Sequence, residues 1–493
     1  MSTTELIRRE WTAFRRPSRL IALAAAGLIL LALGLLFASG NWSGCGGPCP
    51  ELVANDEAIV RDKFSFLHRD LGREGSITVR LTSMTGTITY PPPNHDQIVS
   101  GLVPWAKAGI VIKDGVRPGS RYAALMMTGS HGVRFQYDYT HDVAGRGGGV
   151  SEQSPRWLRL TRSGDNITGA ESTDGAQWHT VATAKLDGLP DTVQVGLFAT
   201  SPNDLTLRKV GLGGTTGEAR HTQAVGVFDH LTVDGAATSA WHTELVGGES
   251  KTDWEKDHPS GAVEKDGVIT VGGSGDIGPL SDESAQAVQY TLLGLPIGLI
   301  IVLIVAARYG TRTARQTPSR RVIAARATVL GAATFVTALV AVGIVVPTGM
   351  AILKSNGIPV SPLPMLTSAR VVAGLAVVLA LCAILTFGLG LRLRRGWAAI
   401  LIGLSLIALP YTVATLPLLP DPVSQWLLRL TPAAGFAVQQ TMKEYPQVTA
   451  HYAPSAGYFP FPWWAGLALL SAYTVTVMRI AAGQKPVADT DWR

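Results

Sequence analysis

Six stretches of this chain run for 16 to 27 residues without an acidic or basic side chain. A bilayer core is crossed by about 20 mostly apolar residues of helix. An ionised side chain near its centre costs about 2.5–3.5 kcal/mol on insertion scales. The runs therefore predict six membrane-spanning helices, at 20–38, 287–307, 327–353, 371–391, 397–419 and 463–478.

Basic residues are sorted by position along the chain. Six arginines and no acid lie in RYGTRTARQTPSRRVIAAR, residues 308–326, between two of the uncharged runs. Residues 40–283 hold 21 Lys/Arg and 30 Asp/Glu, a balance of −9, although the whole chain carries +6. Because cytoplasmic loops are enriched in Lys and Arg, we expect a bacterial plasma-membrane protein with both termini in the cytoplasm and residues 40–284 outside. The same sorting argues against a nucleic-acid partner.

The long acidic insert has a different pattern of apolar and polar residues from the rest of the chain. Short alternating runs such as KAGIVIK, RYAALMM and DTVQVGLFATS are separated by Gly- and Asp-rich turns, which is typical of antiparallel strands. We expect an α-helical six-span membrane domain plus an all-β extracytoplasmic sandwich inserted between spans 1 and 2. The predicted divisions are an interfacial helix and span 1 (1–39), a β-sandwich (40–240), a Gly-rich stalk (241–284) and spans 2–6 (285–493).

The order of these strand motifs resembles the concanavalin A-like lectin/glucanase jelly roll. The resemblance rests on KAGIVIKD, PGSRYAALMMT, HGVRFQYDYT, PRWLRLTRSGD, DGAQWHTV and VQVGLFATS, over roughly 100–235. It implies a glycan or cell-wall ligand, although the fold alone does not establish one. A glycan-binding receptor or a glycoside hydrolase built on this domain is thus an alternative function.

Candidate binding residues in the insert are few. Alternation in RFQYDYT places three rings on one strand face, and with a nearby tryptophan they form a candidate ligand platform: Phe135, Tyr137, Tyr139 and Trp157. Packing in the sandwich core explains the same alternation and is the favoured interpretation. The histidines lack metal-ligand spacing, so no metal site is expected. Cys45 and Cys49, in GCGGPC, are placed for a local disulfide outside the membrane.

The N-terminal residues ELIRREWTAFRRPSR predict an amphipathic helix at the membrane surface. Trp11 and Phe14 fall on its apolar side, and arginines including Arg15 lie beside them. Such a helix places its apolar face among lipid headgroups and its arginines toward anionic lipid.

This arrangement resembles the permease subunits of ABC-2 type exporters, of the kind found in actinobacteria. The matching segments are REWTAFR, the outer insert, TRTARQTPSRRVIAARATVLGAATFVTALV, and WLLRLTPAAGFAVQQT before the last span. The resemblance implies that 313–321 couples to a separate ATPase and that 432–441 is an outer re-entrant segment. The residues carried over are Arg308, Arg312, Arg315, Pro318, Arg320 and Arg321 for coupling, and Pro432, Gly435 and Gln439 for the re-entrant segment. Relatives commonly have an acid where this chain has Ala306-Ala307-Arg308.

The chain contains no G-x-x-x-x-G-K-[ST] phosphate loop. We therefore expect it not to be an enzyme and to hold no cofactor, with ATP and Mg on a partner ATPase. Six spans are half of the usual transport unit, which implies a homodimer or a paired second permease. A basic loop that serves only as a topology anchor is the competing interpretation of 308–326.

Overall fold

The computed structural model describes residues 2–42, 53–54, 59–89, 98–211, 214–236, 239–248, 253–280, 286–361, 363–416 and 418–483. Six of its helical segments are long and apolar enough to cross a membrane, which indicates a membrane protein. The fifth of them, Gly396–Thr415, is continuous through a π-helical turn. In chain order, a large β domain lies between the first of these helices and the second.

The helices begin and end as follows: α1 Thr3–Phe14, α2 Pro17–Gly40, α3 Asp253–Asp257, α4 Gln286–Thr291, α5 Leu295–Ala314, α6 Arg320–Ser355, α7 Met365–Leu393, α8 Gly396–Gly403, α9 Leu409–Thr415, α10 Asp421–Leu430 and α11 Trp463–Ala482. A π-helical turn, Leu404–Ala408, joins α8 to α9, and a 3-10 helix, Pro432–Gln439, follows α10.

Several observed helices begin or end some residues away from the predicted spans, and prolines bear on two of them. The second, expected at 287–307, begins eight residues later at Leu295 and continues to Ala314. Gly294 and Pro296 fix its start, since proline is tolerated in the first turn of a helix and disruptive further in. The fifth contains Pro410, which cannot donate a backbone hydrogen bond, and the π-helical turn just before it accommodates that loss.

The strands are β1 Val53–Ala54, β2 Ile59–Asp62, β3 Phe64–Thr89, β4 Ile98–Ser100, β5 Lys107–Lys113, β6 Tyr122–Thr128, β7 Val133–Tyr137, β8 His141–Ala144, β9 Arg156–Ser163, β10 Asn166–Ser172, β11 His179–Lys185, β12 Val193–Thr200, β13 Asp204–Val210, β14 Gly214–Arg220, β15 Thr222–Ala236, β16 His242–Val246, β17 Gly261–Lys265, β18 Val268–Gly273 and β19 Ile277–Pro279. The strands predicted for β5, β6, β7, β9 to β11 and β12 are present.

The main sheet is antiparallel and curls around one core. Its central order is β11-β10-β9-β3-β12-β5-β6-β7-β8. The 26-residue β3 pairs with β12 and β16 through its first part and with β9 and β15 through its second. Register shifts in β15 opposite β3 bend this pair of strands. The inward side chains, among them Ile110, Leu125, Phe135, Leu158 and Phe228, form a continuous apolar core.

The predicted Gly-rich stalk, residues 241–284, contains four strands, β16 to β19, among its described residues. β16 pairs with β3 and β18 pairs with β15, so the segment contributes strands to the same sheet. β19 then pairs with β2 in a small second sheet. Glycine content alone does not separate a linker from strands whose turns are rich in glycine, as at Gly247 and Gly267.

Candidate functional site

The start of helix α1 is fixed by local hydrogen bonds, and its end is fixed by the packing of a buried side chain. Ser2 and Glu5 form a capping box that satisfies backbone groups of the first turn. At the other end Phe14 is fully buried, whereas Trp11 is 42% exposed and Arg15 is exposed. The helix packs against α6. Of the two predicted apolar residues, Phe14 therefore anchors the helix, and Trp11 remains available to lipid.

A buried ion pair connects α1 to the start of α6. The Nε atom of Arg326 donates to Oε2 of Glu10 over 2.8 Å, and the two side chains are only 15% and 7% exposed. The same guanidinium donates through Nη1 to Gln316 Oε1 at 2.7 Å and to Thr313 Oγ1 at 3.2 Å. One arginine thus joins α1, the end of α5, the α5–α6 turn and α6.

Aromatic packing reinforces this junction. The ring of Phe14 meets Tyr309 edge-on at 5.3 Å, and Tyr309 in turn contacts Phe387 of α7 at 5.4 Å. The guanidinium of Arg19, at the start of α2, lies 4.4 Å from the centre of the Tyr309 ring. We call Glu10, Phe14, Arg19, Tyr309 and Arg326 the α1 dock. Of these five residues, only Phe14 was predicted to hold α1 in place through its apolar side.

The predicted coupling loop is shorter than 308–326. Helix α5 continues through Arg308 and Arg312, and α6 begins at Arg320, so only 315–319 lie outside the two helices. Charged side chains do not end a helix, and the break falls where Thr317 has a φ of 44° and Pro318 follows. The five exposed arginines surround this turn: Arg308, Arg312, Arg315, Arg320 and Arg321. We call them, with the turn, the arginine hairpin.

The predicted outer segment is a buried 3-10 helix. All eight residues of Pro432–Gln439 are buried. A Cβ atom on Gly435 would lie 2.6 Å from Leu470 Cδ2, and one on Gly466 would lie 2.1 Å from the carbonyl oxygen of Ala434. The hydroxyl of Tyr411 donates to Gln439 Oε1 at 3.2 Å. The segment is therefore packed tightly against α11.

The four rings of the candidate ligand platform are not assembled on one exposed face. Phe135 lies in the core of the sheet, and Tyr139 is buried in a second cluster on the opposite face of β5 and β6. Tyr139 leaves the strand alternation because it and Asp138 have positive φ angles. Tyr137 stacks on His141, and Trp157 contacts His230.

Two buried lysines occupy the ends of β5 on this second face. The Nζ atom of Lys113 donates to Asp62 Oδ2 at 2.6 Å and to the carbonyl oxygen of Ser120 at 3.0 Å. Burial lowers the pKa of Lys113, and the nearby Asp62 carboxylate partly offsets that effect. Lys107 donates to Asp276 Oδ1, also at 2.6 Å. Both lysines are fully buried, and each has a carboxylate partner.

The second face of the sheet is covered partly by the helical half of the chain. Tyr445 joins the apolar cluster of Phe64, Phe66 and Phe198. The Nε2 atom of Gln447 donates to the carbonyl oxygen of Tyr139 at 3.1 Å. Strands β5 and β6 are consequently buried on both faces. Nothing in the sequence predicted that the segment before α11 packs on the β domain.

The described residues contain no group of three or more His, Cys, Asp or Glu side chains that could hold a metal ion. Cys45 and Cys49 lie outside the described residues, so the predicted disulfide stays a prediction. Cys382 is buried in α7.

Comparisons with known proteins leave the family of this chain open. No protein-family model matches it, and no curated protein matches it either. Among solved structures, scytalido-glutamic peptidase aligns with 43% of this chain and 98% of its own, at 8% identity and a TM-score of 0.28. The GH43 protein BlXynB from Bacillus licheniformis aligns with 33% of this chain and 28% of its own, at 16% identity and a TM-score of 0.20. A functionally unknown protein from Saccharomyces cerevisiae aligns with 41% of this chain and 99% of its own, at 15% identity and a TM-score of 0.22. At these scores none assigns a function to this chain.

Proposed function

We propose that this chain is the permease subunit of an ATP-driven exporter of the ABC-2 type, coupled through the arginine hairpin to a separate ATPase. The observation that carries the proposal is the α1 dock. It fixes a surface helix, a basic turn and the ends of α2, α5 and α6 as one unit through contacts between side chains. An element that receives force from a partner has to be joined rigidly to the helices that move.

The ends of the apolar helices support the proposed orientation. At the end of the arginine hairpin, Arg320 Nε donates to the carbonyl oxygen of Ala482 at 3.3 Å, which places the last turn of α11 beside the first turn of α6. At the opposite end, Asn356 Nδ2 donates to the carbonyl oxygen of Asn41 at 2.9 Å. Helix ends thus fall into two groups, and we assign the arginine-rich group to the cytoplasm.

Exposed tryptophans accompany both groups of ends. Trp11 and Trp397 are exposed near the arginine-rich ends, and Trp42, Trp426 and Trp464 are exposed near the opposite ends. Tryptophan is enriched at both membrane–water interfaces, because its ring is apolar and its N–H is polar. This distribution favours helices that span a bilayer over helices packed inside a soluble protein. With the arginine-rich ends assigned to the cytoplasm, the proposal puts the β domain on the extracytoplasmic side.

The ion pair of the α1 dock bears on an acidic residue that ABC-2 permeases commonly carry and this chain lacks. Where relatives commonly carry an acid before the loop, this chain has Ala306 and Ala307, which are both buried. Here Glu10 of α1 supplies a carboxylate to Arg326 instead. Arg326 is thereby neutralised locally, and the other five arginines remain exposed to meet a partner. A loop that served only as a topology anchor would need the positive charges of the arginines but not the ion pair between Glu10 and Arg326.

The proposal is tested by purifying the tagged chain from its native membrane in mild detergent and assaying what accompanies it. We expect a co-purifying polypeptide with ATPase activity. Its recovery should fall strongly when Arg315, Arg320 and Arg321 are changed together to alanine. A matched variant removes three exposed arginines elsewhere, Arg8, Arg9 and Arg395, and should retain the partner. A chain that inserts normally and arrives without any ATPase would overturn the proposal.

A further inference from the structure

One lysine–aspartate pair of the β domain is removed completely from solvent. The side chains of Lys113, at the end of β5, and Asp62, at the end of β2, are both 0% exposed, and Lys113 Nζ lies 2.6 Å from Asp62 Oδ2. Neither residue belongs to the α1 dock or to the arginine hairpin. Taking two charges out of water is costly, and their attraction offsets that cost only when the remaining lone pairs and protons are also hydrogen-bonded.

The hydrogen bonds of this pair are divided unequally between the two carboxylate oxygens. Oδ2 of Asp62 accepts from Lys113 Nζ, from the backbone N–H of Gly119 at 2.8 Å and from the Tyr139 hydroxyl at 2.7 Å. Oδ1 is buried and accepts no hydrogen bond from the residues that the structure describes. A buried acceptor without a donor is unfavourable, so the ion pair leaves one oxygen unsatisfied.

The three N–H bonds of the Lys113 ammonium group have separate acceptors. One is Asp62 Oδ2, and the others are the carbonyl oxygen of Ser120 at 3.0 Å and the hydroxyl oxygen of Tyr139 at 3.1 Å. Burial lowers the pKa of Lys113 more than the Asp62 carboxylate raises it, which favours the neutral amine. When the proton shared with Asp62 is transferred, the other two hydrogen bonds hold the amine so that its lone pair faces the carboxyl group.

We propose that Lys113 and Asp62 condense to form an isopeptide bond, an amide between Nζ and Cγ that joins β5 to β2. The ammonium group first gives one proton to the carboxylate, where it ends on Oδ1. The Nζ lone pair then attacks Cγ, and the N–H of Gly119 and the hydroxyl of Tyr139 stabilise the negative charge that develops on Oδ2. A second proton moves from Nζ to Oδ1, the Cγ–Oδ1 bond breaks, and Oδ1 leaves as water.

The condensation needs no co-reactant. Both hydrogens of the released water come from Lys113, its oxygen comes from Asp62, and nothing is oxidised or reduced. The new bond removes two buried charges and the unsatisfied oxygen Oδ1 together. Because the packed sheet holds the amine against the carboxyl group, the two groups react at a high effective concentration.

The second buried lysine pair is not closed to solvent in the same way. Lys107 Nζ also lies 2.6 Å from its partner Asp276, but the Asp276 side chain is 12% exposed. Water can therefore solvate this carboxylate, which stabilises its charged form. We expect Lys107 and Asp276 to stay an ion pair, and they provide an internal control at the other end of β5.

The isopeptide bond would fasten the part of the β domain that adjoins the membrane helices in the chain. Strand β2 comes soon after α2, and it pairs with β19, the last strand before α4. Strand β5 lies in the main sheet between β12 and β6. A covalent bond between β2 and β5 restricts the unfolded chain, as a disulfide does, and keeps the small sheet attached to the main sheet under reducing conditions.

Peptide mapping of the full-length chain tests the proposal after purification in detergent, unfolding and reduction. Trypsin cleaves after lysine and arginine, but not after an acylated lysine or before proline. A linked chain should therefore yield the peptide 108–121, uncut at Lys113 and joined to the dipeptide Asp62-Lys63, with a total mass lower by one water molecule. Fragmentation of this branched peptide identifies the two residues that are joined, which distinguishes the bond from loss of water at another aspartate.

Two lysine variants give a matched comparison. Lys113→Arg keeps the positive charge beside Asp62, but a guanidinium group stays protonated and is no nucleophile, so the branched peptide should be lost. Lys107→Arg makes the same change at the other end of β5 and should retain the branched peptide. Wild-type protein that yields only 108–113, cut after an unmodified Lys113, would overturn the proposal whatever the variants do. None of these outcomes depends on a partner ATPase.

Discussion

The ion pair of the α1 dock should control how often α1 detaches from the helices beneath it. Changing Glu10 to glutamine keeps the size of the side chain and removes its charge. The pair joins Arg326 Nε and Glu10 Oε2 over 2.8 Å at a site where neither side chain is more than 15% exposed. Breaking a buried pair by removing one partner typically costs about 3–5 kcal/mol.

The expected cost here is smaller, because Arg326 keeps its hydrogen bonds to Thr313 and Gln316. We expect the loss of the Glu10 charge to cost about 1.5–3 kcal/mol, the range typical of hydrogen bonds to charged groups. If α1 exchanges through local opening, this change accelerates amide exchange in 6–14 about 10- to 150-fold, since 1.4 kcal/mol is a factor of ten. Hydrogen exchange with mass spectrometry measures it in purified full-length protein.

Two further variants make this experiment decisive. Arg9→Gln removes a neighbouring exposed charge of α1 and should change exchange little. The charge-reversed double variant Glu10→Arg with Arg326→Glu should recover part of the protection that each single change loses. Exchange in Glu10→Gln within about twofold of wild type would refute the reasoning, because surface charges alone have effects of that size.

Two other predictions concern stability. A bidentate pair from Arg80 lowers the pKa of Asp229, so its stabilisation is present above the ordinary carboxyl pKa and is lost as pH falls through the lower folded value. Thermal unfolding should show wild type more stable than Asp229→Asn at pH 6, with the gap closing below about pH 4; a constant gap would contradict this. Gly466→Ala forces a Cβ atom against the carbonyl oxygen of Ala434 and should cost about 1–3 kcal/mol, measured as a lower midpoint, whereas Gly40→Ala meets nothing within 4 Å. Equal midpoints for these two variants would contradict the close packing.

Periodicity and composition predicted the elements better than their ends. The uncharged runs located the six long apolar helices of the described residues, since length and hydropathy determine what crosses a bilayer. They misplaced the limits of α5, because the arginines 308 and 312 are as compatible with a helix as with a loop. The strand KAGIVIK was predicted correctly, but its alternation gave no sign that Lys107 and Lys113 would be buried with carboxylates from other strands.

Contacts between distant parts of the chain were beyond single-sequence reasoning. Glu10 and Arg326 are 316 positions apart, and Gln447 and Tyr139 are 308 apart. No local pattern records such a pair, because each residue is ordinary in its own segment. The loss of the ring platform has a local cause, however: positive φ angles at Asp138 and Tyr139 end the strand two residues before its alternation does.

The most direct test of the coupling proposal is site-specific photo-crosslinking from Ser319, an exposed residue of the arginine hairpin, in native membranes. The account predicts an adduct with a second polypeptide that carries a nucleotide-binding phosphate loop, with no such adduct from the exposed Ser163 of β9. Adducts from Ser319 that contain only lipid or proteins without an ATPase domain, in a chain inserted in the membrane, would contradict the proposal that this protein is an exporter permease.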